Sequence, residues 1–244
     1  MSATRPAIGM LYPGHSAEDD FPRFERVLGD DVALPVTHTL MNVDAHRLEQ
    51  LLDWGRDETL AAGADDAGAV DALVWTCTSG SFCYGWDGAH AQSAKLAQHA
   101  GVPASSTSLA FVHALRHMGI DTVGVSATYP EDVAELFRDF LKAGGIETVR
   151  TVGHDVVTAA EVGTFGRDRL FEIAASGDHP DAQAILLPDT AFHTVEHLDA
   201  LDAHVGKPVL TANQVSVWEA LRLVGVPARY AGLGTLFGGF AARA

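Results

Sequence analysis

Residues 73–84 read Leu73-Val74-Trp75-Thr76-Cys77-Thr78-Ser79-Gly80-Ser81-Phe82-Cys83-Tyr84, and the fold turns on this stretch. The apolar run of residues 72–75 predicts a short buried strand. It ends just before Cys77, small hydroxyl residues follow at once, and a helical pattern begins near Trp86. A thiol at the carboxyl end of a strand, beside a helix start, stands where open α/β sheets place their ligand sites. Free N–H groups at such a start favour a thiolate and also hold a carboxylate. The alternative is a small buried filler, since free cysteine is among the most buried residue types.

Outward from this stretch, strands and helices alternate. Before it, residues 7–12 predict a strand and residues 17–28 a helix. Residues 32–37 predict a second strand, on a sheet edge because it carries Pro35, and one long helix should run from about residue 43 to 62. After it come a helix to residue 100, a strand near 102–105 and a helix over 108–118. The cycle then restarts, with strands at 122–126, 147–152, 184–187 and 208–211 and helices at 131–143, 168–175, up to 204 and up to 224. Such alternation predicts parallel sheets covered by helices on both faces.

The restart is close to a copy. Ile8-Gly9-Met10 is echoed by Val123-Gly124-Val125, Cys77-Thr78-Ser79 by Asp189-Thr190-Ala191, and Ala114-Leu115-Arg116 by Ala220-Leu221-Arg222. A nearly constant offset of roughly 110 residues is a duplication signal. The expected organisation is one α/β half over residues 1–118 and a second over 119–225, with the segment from about 226 to 244 packing back on the first. Two halves related by a pseudo-two-fold axis would aim Cys77 and Asp189 at one ligand from opposite sides, and pockets favour such interfaces.

Composition narrows the function. The 244 residues are 47% hydrophobic and 20% charged, an ordinary globular balance. A net charge of −16 argues against nucleic acid and against an anionic membrane surface, both of which call for surplus Lys and Arg. Two cysteines make no disulfide framework. The first residues carry no secretory leader pattern, and no apolar run nears the ~20 residues of a membrane span, so the expected location is the cytoplasm with reduced thiols.

Five short motifs, in order, carry a resemblance: Ile8-Gly9-Met10 with Pro13; Cys77-Thr78-Ser79 with Phe82; Ser126-Ala127-Thr128-Tyr129 before Glu131-Asp132-Val133; Ile185-Leu186-Leu187; and Gly232-Leu233-Gly234-Thr235-Leu236-Phe237. Together the layout resembles the aspartate/glutamate racemase superfamily, within it the maleate cis-trans isomerase and arylmalonate decarboxylase branch. The resemblance implies two pseudo-symmetric parallel-sheet halves with the site at their interface. It implies chemistry beside a carboxylate without cofactor or metal. It implies Cys77 as the first catalytic cysteine, acting as a thiolate at an α-carbon or double bond, with Thr78, Ser79 and Tyr129 as donors to the substrate. Pro13 and Thr190 are further candidates for the substrate-binding surface.

Two departures mark this chain. The second cysteine position holds Asp189, and the loop after the first strand reads Pro13-Gly14-His15 where maleate isomerases carry Asn. Asp189 is a second catalytic proton carrier, a residue that helps choose the substrate, or the cap of a helix near Phe192. The expected function is a cofactor-independent isomerase acting on a small carboxylic acid. The alternatives are a decarboxylase of a malonate-like acid and a non-catalytic carboxylate binder. A homo-oligomer is left open.

Other constellations are weaker. His193-Thr194-Val195-Glu196-His197 matches a zinc pattern, and His113 and His117 are spaced i, i+4; each pair is expected on one helix face, solvated and without metal. Cys83 is expected to pack the helix start, and His15 to be an exposed loop residue.

Overall fold

The computed structural model describes residues 5–238. The expectations for the first four residues and for the tail beyond 238 lie outside the described residues. The first sheet contains β1 (Ile8–Pro13), β2 (Val36–Thr39), β3 (Ala72–Trp75) and β4 (Ala104–Ser106). The second contains β5 (Thr122–Ala127), β6 (Glu147–Gly153), β7 (Ala184–Leu187) and β8 (Val209–Thr211). Every pairing is parallel, and the strand orders, β2-β1-β3-β4 and β6-β5-β7-β8, are the same order used twice. The four residues of β3 and the four of β7 are all buried, as befits central strands covered on both faces.

The helices are α1 (Asp20–Leu28), α2 (Leu48–Trp54), α3 (Asp57–Ala67), α4 (Ser79–Phe82), α5 (Gly85–Ala100) and α6 (Thr107–Met118), then α7 (Glu131–Ala143), α8 (Ala159–Val162), α9 (Arg167–Ser176), α10 (Leu198–Val205) and α11 (Ala212–Leu223). Helices α6 and α11 pack on each other across the seam between the sheets. An aromatic cluster joins the halves as well: the Phe82 ring centroid lies 6.0 Å from Tyr129 and 5.2 Å from Phe137. The last described segment touches both halves. Tyr230 donates to Asp31 at 2.5 Å, while the amides of Gly234 and Thr235 reach Asp199 and Asp202.

Two expectations are corrected. β2 starts at Val36, after Pro35, because the missing proline N–H cannot join a ladder; it is nonetheless an edge strand. The long helix expected over 43–62 is two helices broken at Gly55, and α3 runs through Gly63 to Ala67. The break has a tertiary cause. A Cβ on Gly55 would lie 2.0 Å from the carbonyl oxygen of Gly80, so only glycine lets α4 seat there. The Gln92 amide clasps this contact, donating to the Gly55 carbonyl at 2.7 Å and to the Gly80 carbonyl at 2.9 Å.

Candidate active site

Cys77 and Asp189 each stand two residues beyond the end of a central strand, β3 and β7, in sheets of identical order. Both are buried, at 3% and 5% exposure. They lie within electrostatic reach of each other, for the Asp189 charge acts on the Cys77 thiol, and Tyr129 feels both. Thr78, Ser79, Tyr129, Thr190 and Pro13 are buried on the same rim.

The Cys77 sulfur accepts the Gly80 N–H at 3.2 Å and lies 3.8 Å from the Ser79 hydroxyl. A Cβ on Gly80 would sit 3.0 Å from that sulfur, so glycine is what lets the backbone donor come so near. The expected low thiol pKa is not found. Burial pushes the Cys77 thiol up to about 12, the nearby Asp189 charge adds to the rise, and the Gly80 and Ser79 donors offset only part of it. Desolvation penalises the charged form over the whole sulfur, whereas two neutral donors stabilise it locally. The resting sulfur is therefore S–H.

Asp189 has a different environment. One carboxylate oxygen accepts the Ala191 N–H at 2.9 Å and the other accepts the Thr128 hydroxyl. No helix starts at Phe192; the next helical turn, a 3₁₀ turn, begins at Val195, so Asp189 closes a tight turn instead of capping a helix. Beside it stands His46, which sequence reasoning missed. His46 is 2% exposed, and its Nε2 lies 4.0 Å from the Asp189 carboxylate. Its Nδ1 is 2.9 Å from the Val156 carbonyl, a contact that assigns the proton to Nδ1 and leaves Nε2 facing Asp189. The Tyr129 ring packs edge-on at 4.9 Å. Nothing local flags His46, because it lies in the irregular stretch between β2 and α2.

The remaining candidates divide by what their polar atoms do. The Thr78 hydroxyl is buried without a partner, which leaves a donor free for an incoming acceptor. The Tyr129 hydroxyl donates to the Pro188 carbonyl at 2.6 Å, so it holds the Asp189 loop. Tyr12, not singled out from sequence, does the same from the first half: its hydroxyl donates to the Thr190 carbonyl at 3.0 Å. Thr190 thus contributes its main chain, which also receives Asn213 Nδ2 at 3.1 Å. Pro13 ends β1 on this rim, paired in register with Thr39.

A cover closes the site. Asp44 accepts the amides of Ala159 and Ala160 at 2.8 and 2.9 Å, and the His46 amide donates to the Val157 carbonyl at 2.6 Å. These bonds latch the β2–α2 segment of the first half onto the second. Exposed Leu40, Val43 and Val157 flank the latch. A cavity of about 660 Å³ lies elsewhere, by His113, Arg116, Trp218 and Arg222.

The histidine pairs noted in the sequence go separate ways. His193 precedes the 3₁₀ turn and bonds Asp19 at 2.7 Å, so it does not share a helix face with His197. His113 and His117 do lie on α6, but His113 bonds Glu219 at 3.0 Å and His117 packs on Trp218. Half-buried Cys83 ends α4 and packs against the core.

With this geometry in hand, the comparisons with known proteins agree in direction. A family model described as Arylmalonate decarboxylase matches residues 38–237. An arylmalonate decarboxylase from Bordetella bronchiseptica is 27% identical over 96% of this chain and 98% of its own length. A maleate isomerase from Geobacillus stearothermophilus is 26% identical over 69% of this chain and 70% of its own. Among solved structures, the maleate isomerase Iso from Pseudomonas putida S16 superposes with a TM-score of 0.86 at 21% identity, over 96% of this chain and 99% of that one. A Gly74Cys-Cys188Ser mutant of arylmalonate decarboxylase superposes with a TM-score of 0.83 at 21% identity, over 96% and 99%. These two structural likenesses establish the fold.

Proposed function

This chain belongs to the arylmalonate decarboxylase family, and from that premise we propose that it is a cofactor-independent isomerase that moves a proton at the α-carbon of a small carboxylic acid. The observation that carries the reading is the pairing of a protonated Cys77 with the Asp189 carboxylate at equivalent strand ends. An acid on one face and a base on the other are what inversion at an α-carbon needs.

Asp189 takes the α-proton, and the C–H electron pair moves into the carboxyl group as an enediolate. The Cys77 S–H then gives its proton to the opposite face. This leaves a thiolate and a protonated Asp189, which exchange with solvent protons once the product departs. The Thr78 hydroxyl meets the growing charge, in the manner of an oxyanion hole. His46 Nε2 faces Asp189 and supports its turn as base and then acid. Thiolate addition to a double bond is disfavoured in the free site, because burial holds the proton on sulfur. Entry of the acid requires release of the Asp44 latch.

A second reading is decarboxylation of a malonate-type acid. It is favoured by the same raised thiol, since a proton donor is all that the carbanion left by CO₂ loss requires. The relative from Bordetella bronchiseptica also aligns along nearly the whole chain. Incubation in D₂O with a panel of α-substituted mono- and dicarboxylic acids, followed by NMR, separates the two. Exchange of the α-hydrogen with loss of optical purity and no CO₂ is the expected result. CO₂ release with one deuterium gained assigns decarboxylation instead. Saturable binding of a panel acid with neither reaction would leave a carboxylate binder and end the catalytic reading.

A further inference from the structure

Outside the active site, His15, Glu18 and His38 converge from two separate elements. His15 and Glu18 lie in the loop between β1 and α1, and His38 is on β2. The His15 Nδ1, a Glu18 carboxylate oxygen and the His38 Nε2 all lie within 4.8 Å of one another. His15 Nδ1 is 3.1 Å from Glu18 Oε1, and His38 Nε2 is 3.9 Å from the same oxygen. In a tetrahedral zinc site with bonds near 2.1 Å, ligand atoms stand about 3.4 Å apart. The two distances to Glu18 Oε1 bracket that spacing.

The surrounding contacts prepare the same arrangement. His38 Nδ1 lies 2.6 Å from the Gly14 carbonyl, which assigns its proton there and turns the Nε2 lone pair toward Glu18. A backbone carbonyl behind the distal ring nitrogen is the usual support of a metal-bound histidine. The other Glu18 oxygen is occupied by the Ser16 amide at 2.7 Å, so Oε1 is the one presented. The two imidazole rings lie 4.0 Å apart, tilted by 33°, and His15 Nδ1 donates to Glu18 Oε1 a proton that a bound ion would displace. Two imidazoles and a carboxylate suit a borderline divalent ion better than magnesium or calcium, which take oxygen ligands. With the His15 side chain 75% exposed and that of His38 39% exposed, solvent can supply the ion and a fourth, water ligand.

We propose that His15, Glu18 and His38 form a zinc-type divalent metal site that ties the β1–α1 loop to β2 beside the rim. The site does not depend on the reaction assigned above. It shares the stretch after Pro13 with the rim, so an ion there fastens one edge of the cleft.

Titration of the untagged, chelator-treated full chain with Co²⁺, then competition with Zn²⁺, tests it. The expected result is one saturable equivalent with the visible absorption of low-coordinate cobalt, displaced by Zn²⁺. The melting temperature should rise by about 5 °C at a hundredfold excess over Kd. His38→Ala, His15→Ala and Glu18→Gln should each weaken binding about tenfold or more, while melting at the wild-type temperature in chelator. The absence of saturable binding would overturn the proposal, and so would affinity unchanged in all three variants. In the first case the cluster is a proton-bound ion pair; in the second the metal lies elsewhere.

Discussion

The loops that follow β3 and β7 occupy equivalent places in two copies of one sheet, yet they hold opposite chemistry. Around Cys77 a fully enclosed sulfur meets one amide and one hydroxyl, and the proton stays on. Around Asp189 a carboxylate receives an amide and a threonine hydroxyl with an imidazole beside it. The repeated scaffold supplies two facing positions. Each receives an amide and a hydroxyl, and they differ in the group that accepts them and in the imidazole beside Asp189. The repeat carries a thiol at one of the two equivalent positions and a carboxylate at the other.

Removing the acid side should have the largest effect. Cys77→Ala is expected to lower turnover about 10³-fold with the circular dichroism spectrum unchanged, since a positioned general acid is worth roughly 10² to 10⁴. Full activity in this variant would erase the contrast between the loops. Removing the base side comes next. Asp189→Asn keeps the shape and the Thr128 contact but cannot take a proton, and should cost about 10²-fold. The comparison sharpens if proton exchange fails in both variants, and breaks if only Cys77 matters, as one-sided decarboxylation would require.

Glu219 offers a third buried acid at the same seam, with 0% exposure. Burial works against its charge, but Arg222, then His113 and Ser105, outweigh it and hold the carboxyl down at about 2. Because the folded value lies below the ordinary 4.5, this stabilisation is present above that pH and is lost as pH falls toward 2. Allowing for the half-exposed Arg222, about 2 kcal/mol should disappear over this window in acid-unfolding curves. Glu219→Gln should flatten the window. A loss of equal size in the variant at every pH would point to packing instead. The smallest effect is expected from His46→Gln, about tenfold in turnover. Unchanged turnover would leave His46 as a wall of the cleft.

Much of the fold was legible in the residues. The eight strands, the duplication and the places of Cys77 and Asp189 just past strand ends follow from short apolar runs punctuated by glycine, proline and small hydroxyl residues. These are local signals, carried by neighbours a few residues apart. The break at Gly55 was not legible, because its cause is the Gly80 carbonyl on α4. The part played by Tyr12 was hidden for the same reason, since its partner is the Thr190 carbonyl in the other half.

Residue order alone predicts the architecture of this protein and puts Cys77 and Asp189 just past strand ends, because periodicity and strand ends are written into adjacent positions. The protonation of Cys77, the approach of His46 to Asp189 and the meeting of His15, Glu18 and His38 were settled by folding. Desolvation sums over everything that surrounds a group, and contacts across the cleft join segments far apart in the chain. Neither quantity exists until the two halves have closed on each other.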